Sequence, residues 1–127
     1  MTEQNQEIVR IIDWHKEVPI LLVKEVPKPS VESIENNWTY MQQLTEGKQF
    51  HMISDISKAP PPSGKVRVAV KEVFQEMEPY LASTHVYVGK NFLLQIALKF
   101  IAASMGMKQF NVVKSIEVAV EKIKNEH

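Results

Sequence analysis

The chain has 127 residues, of which 44% are hydrophobic and 24% are charged. These values are typical of one folded domain with a single core, and they exclude a disordered chain and a membrane-protein composition. Fifteen basic residues balance fifteen acidic ones, so we expect no overall field that draws the chain to nucleic acid or to an anionic membrane. Cysteine is absent, which excludes disulfides, thiolate nucleophiles and thiolate metal sites.

The N-terminal half begins with a polar stretch and then alternates strands and helices. Residues 1–10 lack the apolar region of a signal peptide, so we expect a cytoplasmic protein. Two apolar runs, residues 7–15 and 18–23, lie close enough together to predict a hairpin. Ser30 follows a proline-rich stretch and is the predicted N-cap of a helix that ends near Gly47. The apolar face of that helix carries Val31, Ile34, Trp38 and Met41.

The middle of the chain continues the alternation. Residues 50–56 form a strand-length segment, and a proline-rich loop over residues 59–64 follows it. Helical spacing of apolar residues then predicts a second helix that ends or kinks at Pro79. Residues 84–88 predict a further core strand that ends at Gly89.

The last third contains the most apolar segment of the chain. Asn91 is the predicted N-cap of a third helix over residues 92–105, which Gly106 ends. Residues 110–113 predict a short strand, and Ser115 is the predicted N-cap of a final helix. The resulting order, β-β-α-β-α-β-α-β-α, predicts an α/β fold: an N-terminal hairpin followed by right-handed crossovers and a mainly parallel sheet of about five strands. We expect one domain over residues 1–127, with its core at about residues 8–125.

This order of elements, with the residues around 52–64 and the ending at 110–123, resembles the STAS-like superfamily. That superfamily includes the anti-sigma-factor antagonists and the SpoIIAA-like proteins. The resemblance covers roughly residues 8–125. It implies parallel strands in sequential order, helices mainly on one face, and a non-enzymatic, regulatory role.

The antagonists carry a phosphorylated serine that follows a strand ending in aspartate. Here the segment from Asp55 to Lys58 resembles that strand end, and Ser63 and Gly64 fall at the start of the next helix. Pro62 stands where the acidic residue before the serine is expected. This departure is closer to the SpoIIAA-like branch, for which a small or lipid-like ligand is inferred, and leaves a phosphorylation switch at Ser63 as the alternative.

The start of the second helix is a candidate anion site. Free backbone N–H groups, the positive end of the helix dipole and two cationic side chains would converge there. The same residues could instead form an ordinary solvated, charged face. The candidate anion or phospho-site residues are Asp55, Ser57, Ser63, Gly64, Lys65 and Arg67.

The third predicted helix is apolar nearly all round, so it must be covered nearly all round. At about 14 residues it is shorter than the roughly 20 that a membrane span needs. Burial within the chain, a second subunit and an apolar ligand are the alternatives for its cover. The candidate interface or ligand residues are Phe92, Ile96, Phe100 and Ala103.

Catalytic and metal-binding signatures are weak. The four histidines are too far apart in sequence for a recognisable metal signature, so we expect no metal and no cofactor. Asp55 with a histidine could perform acid-base chemistry, which makes a small enzyme the least favoured alternative. We therefore expect a binding or regulatory module with no nucleic-acid partner. It would act as a homodimer or with another protein, with a small anionic or lipid-like ligand as a further option.

Overall fold

The computed structural model describes residues 8–24, 28–58, 64–90, 95, 96, 99, 103 and 110–126. The strands are β1 (Val9–His15), β2 (Val18–Lys24), β3 (Phe50–Asp55), β4 (Leu81–Tyr87) and β5 (Phe110–Val113). The helices are α1 (Val31–Thr45), α2 (Gly64–Met77) and α3 (Ile116–Glu126), with a short 3-10 helix, Glu78–Tyr80, after α2. β4 begins three residues earlier than the sequence predicts.

The strands form one five-stranded sheet in the order β1-β2-β3-β4-β5. β1 and β2 pair antiparallel, and every other neighbouring pair is parallel. Since parallel neighbours require a crossover connection, α1 and α2 each link two adjacent strands. The predicted α/β fold with a mainly parallel five-stranded sheet is confirmed.

A two-residue turn joins β1 to β2, as the break between the two apolar runs predicts. His15 pairs with Val18, and the two turn residues between them, Lys16 and Glu17, have φ angles of 51° and 69°. Positive φ at both positions is the requirement of a type I′ turn, which matches the twist of the strands that it joins.

Both ends of α1 carry the predicted signals. The Ser30 hydroxyl accepts a hydrogen bond from the Ser33 N–H at 3.0 Å, and the Ser33 hydroxyl accepts one from the Ser30 N–H at 2.8 Å. This reciprocal capping box satisfies N–H groups that the helix itself leaves open. At the other end Glu46 and Gly47 both have positive φ, and the Gly47 N–H donates to the Gln42 carbonyl at 3.1 Å. The predicted N-cap and helix end are confirmed.

α1 and α2 cover one face of the sheet. Side chains alternate along β3, so Phe50 and Met52 point to this face. Trp38 of α1 packs 6.4 Å from the Phe50 ring, and its indole N–H donates to Glu76 of α2 at 3.0 Å. The largest of the three described hydrophobic clusters therefore lies between these two helices and the sheet.

α3 covers the opposite face. Its Ala119 and Ile123 are completely buried and pack with Ile53 and other apolar residues of the central strands. The Ser115 hydroxyl accepts a hydrogen bond from the Val118 N–H at 3.1 Å, which confirms Ser115 as the predicted cap. The expectation of helices mainly on one face holds for α1 and α2, whereas α3 follows the last strand and returns along the other face.

The third predicted helix is described at four positions only. Residues 95, 96, 99 and 103 are helical, and the rest of the segment from 91 to 109 lies outside the described residues. Within the described part of the chain, no helix has both the length and the apolar character needed to cross a membrane.

Candidate functional site

The parallel strands β2 to β5 all end at the same edge of the sheet, which we call the carboxyl edge. At this edge Lys24 pairs with Asp55, Asp55 with Tyr87, and Tyr87 with Val113. Open α/β sheets bind their ligands beyond the carboxyl ends of their strands. The loops that follow these strands are therefore the first place to look for a site.

Asp55 and Ser57 form a closed turn at the end of β3. Asp55 Oδ1 accepts hydrogen bonds from the Ser57 backbone N–H at 3.1 Å and from the Ser57 hydroxyl at 2.7 Å. An aspartate that binds the backbone two residues ahead is a turn-forming arrangement. One carboxylate oxygen of Asp55 is thus used to shape the loop.

The loops after β3 and β4 are packed against each other. The Ile56 N–H donates to the Tyr87 carbonyl at 3.0 Å. Gly89 has a φ of +68°, and a Cβ atom placed on it would lie 3.2 Å from Ser57 Cβ and 3.9 Å from the Tyr87 hydroxyl. Only a residue without a side chain fits this close approach in this conformation without strain.

The start of α2 follows the loop after β3 in the chain. Gly64 begins the helix with a φ of +56°, and both Lys65 and Arg67 are exposed in its first turn. The first turn of α2 contains no acidic residue. Ser63, the candidate phosphoacceptor, lies outside the described residues, as does Pro62.

Further cations lie at the same edge, because each parallel strand either ends in a lysine or is followed by one within three residues. All are exposed, and none forms an ion pair with another residue among those described. We call the full set the basic edge: Lys24, Lys28, Lys58, Lys65, Arg67, Lys90 and Lys114. The described carboxylates of the same region are Glu32, Asp55 and Glu117.

Sequence reasoning identified only Lys65 and Arg67 of this set. The lysines after the strands are spread over 91 positions of the chain, from Lys24 to Lys114, so they form no motif. The signal that could have found them is positional: Lys24, Lys58, Lys90 and Lys114 each lie just beyond a predicted parallel strand. Parallel pairing brings such positions to one edge.

The histidines form a separate arrangement inside the molecule. Ser83 Oγ lies 2.6 Å from His51 Nδ1 and 3.0 Å from His85 Nε2, and all three side chains are buried on the face that α3 covers. The hydroxyl can donate to one imidazole and accept from the other. The His15 ring lies 6.4 Å from the His51 ring. His51 and His85 are therefore internal hydrogen-bonding residues.

The apolar candidates of the third predicted helix are described in part. Ile96 is 65% exposed and Ala103 is exposed, with Lys99 exposed between them. Phe92 and Phe100 lie outside the described residues. Nothing that the structure describes covers this apolar pair.

Two of the cavities in the structure have linings that consist of described residues. One, of about 50 Å³, lies between α1, α2 and the sheet, with Asn37 and Ser54 as its polar lining. It is smaller than the roughly 150 Å³ that accommodates a benzene-sized molecule, so it offers no room for a lipid chain. The other is an open groove of about 690 Å³ beside the β1–β2 hairpin. Trp14, which is 56% exposed, lines that groove, although the sequence placed it in an apolar run.

No group of three or more metal-binding side chains occurs among the residues that the structure describes. Comparison of the sequence with models of protein families gives no match, and comparison with curated proteins gives no significant match. The geometry of the carboxyl edge is therefore the main indication of function.

Proposed function

We propose that this chain is a non-enzymatic binding module of the STAS-like type, which recognises an anionic group at the carboxyl edge and acts through association with protein. One observation carries the proposal. The basic edge has seven exposed cations and three described carboxylates, and none of the seven cations forms an ion pair with a described residue. Asp55, one of those carboxylates, already accepts two hydrogen bonds from Ser57.

Binding is better supported than catalysis. An acid-base pair would need Asp55 and a histidine at a place that substrate can reach. His51 and His85 are 2% and 0% exposed, and both contact the Ser83 hydroxyl in the interior. The enzyme alternative therefore finds no support in the contacts of these residues.

A phosphorylation switch remains the second candidate. Ser63 directly precedes Gly64, so a phosphate on it would be next to the N-terminus of α2 and close in sequence to Lys65 and Arg67. Helix N-termini and cationic side chains stabilise a phosphate. Phosphopeptide mass spectrometry of the protein from its native host tests this candidate, and unmodified Ser63 under all growth conditions would argue against it.

Titration of the ¹⁵N-labelled protein with inorganic pyrophosphate tests anion recognition. We expect chemical-shift changes at residues 57–58, 64–67 and 89–90. Lys65→Gln with Arg67→Gln removes two charge-assisted contacts of roughly 1.5–3 kcal/mol each, which would weaken binding by at least tenfold. Lys16→Gln with Lys48→Gln is the matched control at the other end of the strands. Equal weakening by both pairs, or no shift at the carboxyl edge, would refute the proposal.

For protein association, the open face of Ile96 and Ala103 is the proposed homodimer contact. Its support is the 65% exposure of Ile96, a large apolar side chain on a helix. Light scattering at two protein concentrations is expected to detect a dimer, and Ile96→Asp to yield a monomer, while Glu32→Asp on another surface leaves the dimer intact. A strict monomer at both concentrations would remove this part of the proposal.

A further inference from the structure

The basic edge is a broad surface, and neither of the two cavities described above is lined by its residues. Its cations lie at the end of β2, in the connections that follow β2, β3, β4 and β5, and in the first turn of α2. With about 4.8 Å between neighbouring strands, the ends of β2 to β5 alone span roughly 15 Å. Every one of these side chains is exposed. An extended anionic surface could engage them together, whereas a single small anion could reach only a few.

The composition of the basic edge favours a partner with mobile charges spread over a surface, rather than a folded protein with charges in fixed positions. Six of its seven cations are lysines and one is Arg67. Protein interfaces are enriched in arginine and aromatic residues and depleted in lysine, and arginine is also the residue for bidentate recognition. None of the described residues at this edge is an exposed aromatic one. Lysines in such a setting match a plane of mobile charges better than they match a folded protein.

At the opposite edge of the sheet, which we call the acidic edge, negative charge predominates among the described residues. Its described acidic residues outnumber its lysines, and both described ion pairs lie towards it: Lys48 with Glu46 at 3.9 Å and Lys124 with Asp13 at 2.7 Å. The remaining carboxylates towards this edge are Glu17, Glu76, Glu78, Glu121 and Glu126. The balanced total of fifteen cations and fifteen anions therefore conceals a charge separation along the strands.

We propose that the basic edge docks on the surface of a lipid bilayer that contains acidic headgroups, with the strands roughly perpendicular to the bilayer plane. The inference rests on the proposed function, because it names the anionic partner of the same edge. A basic residue near an anionic bilayer strengthens binding about 5-fold, the equivalent of about 1 kcal/mol. The charge separation fixes the orientation, since the acidic edge is repelled when the basic edge is attracted.

Sedimentation with lipid vesicles tests the proposal. We expect the protein to bind vesicles of phosphatidylcholine with about one third phosphatidylglycerol and to leave vesicles of phosphatidylcholine alone unbound. Raising the ionic strength from about 0.05 M to about 0.5 M should abolish binding, because the screening length falls well below 10 Å. Lys58→Gln with Lys90→Gln should lower the partition coefficient roughly 30-fold. Lys16→Gln with Lys48→Gln makes the same change in net charge at the acidic edge and should have little effect.

A second measurement uses no variant. Trp14 lies towards the acidic edge and Trp38 is buried in the core, so phosphatidylglycerol vesicles with brominated acyl chains should leave tryptophan emission unquenched while the protein is bound. Quenching of Trp14 would overturn the proposed orientation. If the variant of Lys58 and Lys90 and the variant of Lys16 and Lys48 lose vesicle binding equally, the basic edge is not the surface that contacts the bilayer.

The remaining outcomes separate this inference from the proposed function. If the protein binds pyrophosphate, polyglutamate or duplex DNA through Lys58 and Lys90 but ignores acidic vesicles, the bilayer inference fails and anion recognition stands. If neither vesicles nor any soluble anion binds, both fail. Circular dichroism of each variant ensures that a loss of binding is not a loss of folding.

Discussion

At the scale of single residues, Gly89 is the position where the loops of the site meet. Its φ of +68° costs any other L-residue about 1–2 kcal/mol, and a Cβ atom there would lie 3.2 Å from Ser57 Cβ. We expect Gly89→Ala to destabilise the fold by more than the conformational cost alone, as measured by urea unfolding. It should also shift the amide resonances of Ser57 and Ile56.

Gly47 supplies the matched control for this prediction. It has a φ of +72°, and a Cβ atom there would have no neighbour within 4 Å. Gly47→Ala therefore measures the conformational cost by itself, about 1–2 kcal/mol. An equal loss of stability in the two variants would mean that the contact between Gly89 and Ser57 is unimportant.

Ser83 is the second residue whose role depends on its contacts. Its hydroxyl lies within hydrogen-bond distance of two buried imidazoles, so Ser83→Ala removes a polar partner from both His51 and His85. Loss of a buried hydrogen-bond partner costs about 1–3 kcal/mol. We expect that loss in the free energy of unfolding, measured with urea at neutral pH.

The variant Ser54→Ala is the control for the general effect of replacing serine by alanine in a buried strand. It is 7% exposed on β3, and it has no hydrogen bond with another described side chain. We expect Ser54→Ala to change stability by well under 1 kcal/mol. If it proves as costly as Ser83→Ala, the histidine contacts do not explain the effect.

At the scale of elements, the β1–β2 turn carries backbone strain. Lys16 and Glu17 both occupy the left-handed region, where asparagine and glycine are the favoured turn residues. We expect Glu17→Gly to stabilise the protein by about 0.5–1 kcal/mol, because relief of strain exceeds the added freedom of the unfolded chain.

The midpoint of thermal or urea unfolding measures this effect. Gln49→Gly, in the exposed loop before β3 and without a positive φ, serves as the control and should be neutral or destabilising. A similar gain in both variants would show that the strain at Glu17 is not the cause.

Element boundaries differ in how well local signals determine them. The caps Ser30 and Ser115 and the helix end at Glu46–Gly47 were predicted correctly, because each depends on hydrogen bonds and backbone angles within a few residues. The start of β4 was predicted too late. Leu81 pairs with Phe50 of β3, a contact across the sheet that alternation within residues 81–83 does not reveal.

At the scale of the whole molecule, the Asp13–Lys124 pair joins the first strand to the last helix. The hydrogen bond from Lys124 Nζ at 2.7 Å, and then that from the Trp14 N–H, hold the pKa of Asp13 below its ordinary value of 3.8. A carboxyl whose folded-state pKa is lowered contributes stability above its unfolded value. That contribution is lost as the pH falls through the lowered pKa.

We therefore expect Lys124→Met to raise the pKa of Asp13, as followed by NMR titration. The variant should lose more stability at neutral pH than at acid pH, where Asp13 is protonated in both proteins. Lys122→Met, which has no ion pair with a described residue, should leave the Asp13 titration unchanged. An unchanged titration in Lys124→Met would contradict the assigned cause. The pair is exposed to solvent, so added salt should reduce the difference.

The balanced charge of the chain leaves room only for a local charged site, and the basic edge is one. Fifteen cations and fifteen anions predict no overall attraction to an anionic membrane. The fold places lysines that form no ion pair with a described residue at one edge, and most of the described ion-paired or acidic residues towards the other. A net charge adds up all residues regardless of position, whereas the field at a surface depends on which of them are nearest.

The sequence by itself determined the fold class, the order of the elements, the caps and the hairpin. These follow from hydrophobic periodicity and from turn and cap residues, which act over a few positions of the chain. It also predicted Asp55 and Ser57 at the end of a strand, and Ser63, Gly64, Lys65 and Arg67 at the start of the next helix, since each group is close together along the chain.

Only the tertiary structure decided which distant residues meet. It brought the lysines of separate strands to one edge, buried His51 and His85 around Ser83, placed α3 opposite α1 and α2, and left Trp14 and Ile96 exposed. Each of these outcomes depends on strand order, register and the path of the chain after a strand. These are long-range properties, because the residues that fix them are separated by dozens of positions and interact only when the sheet is complete.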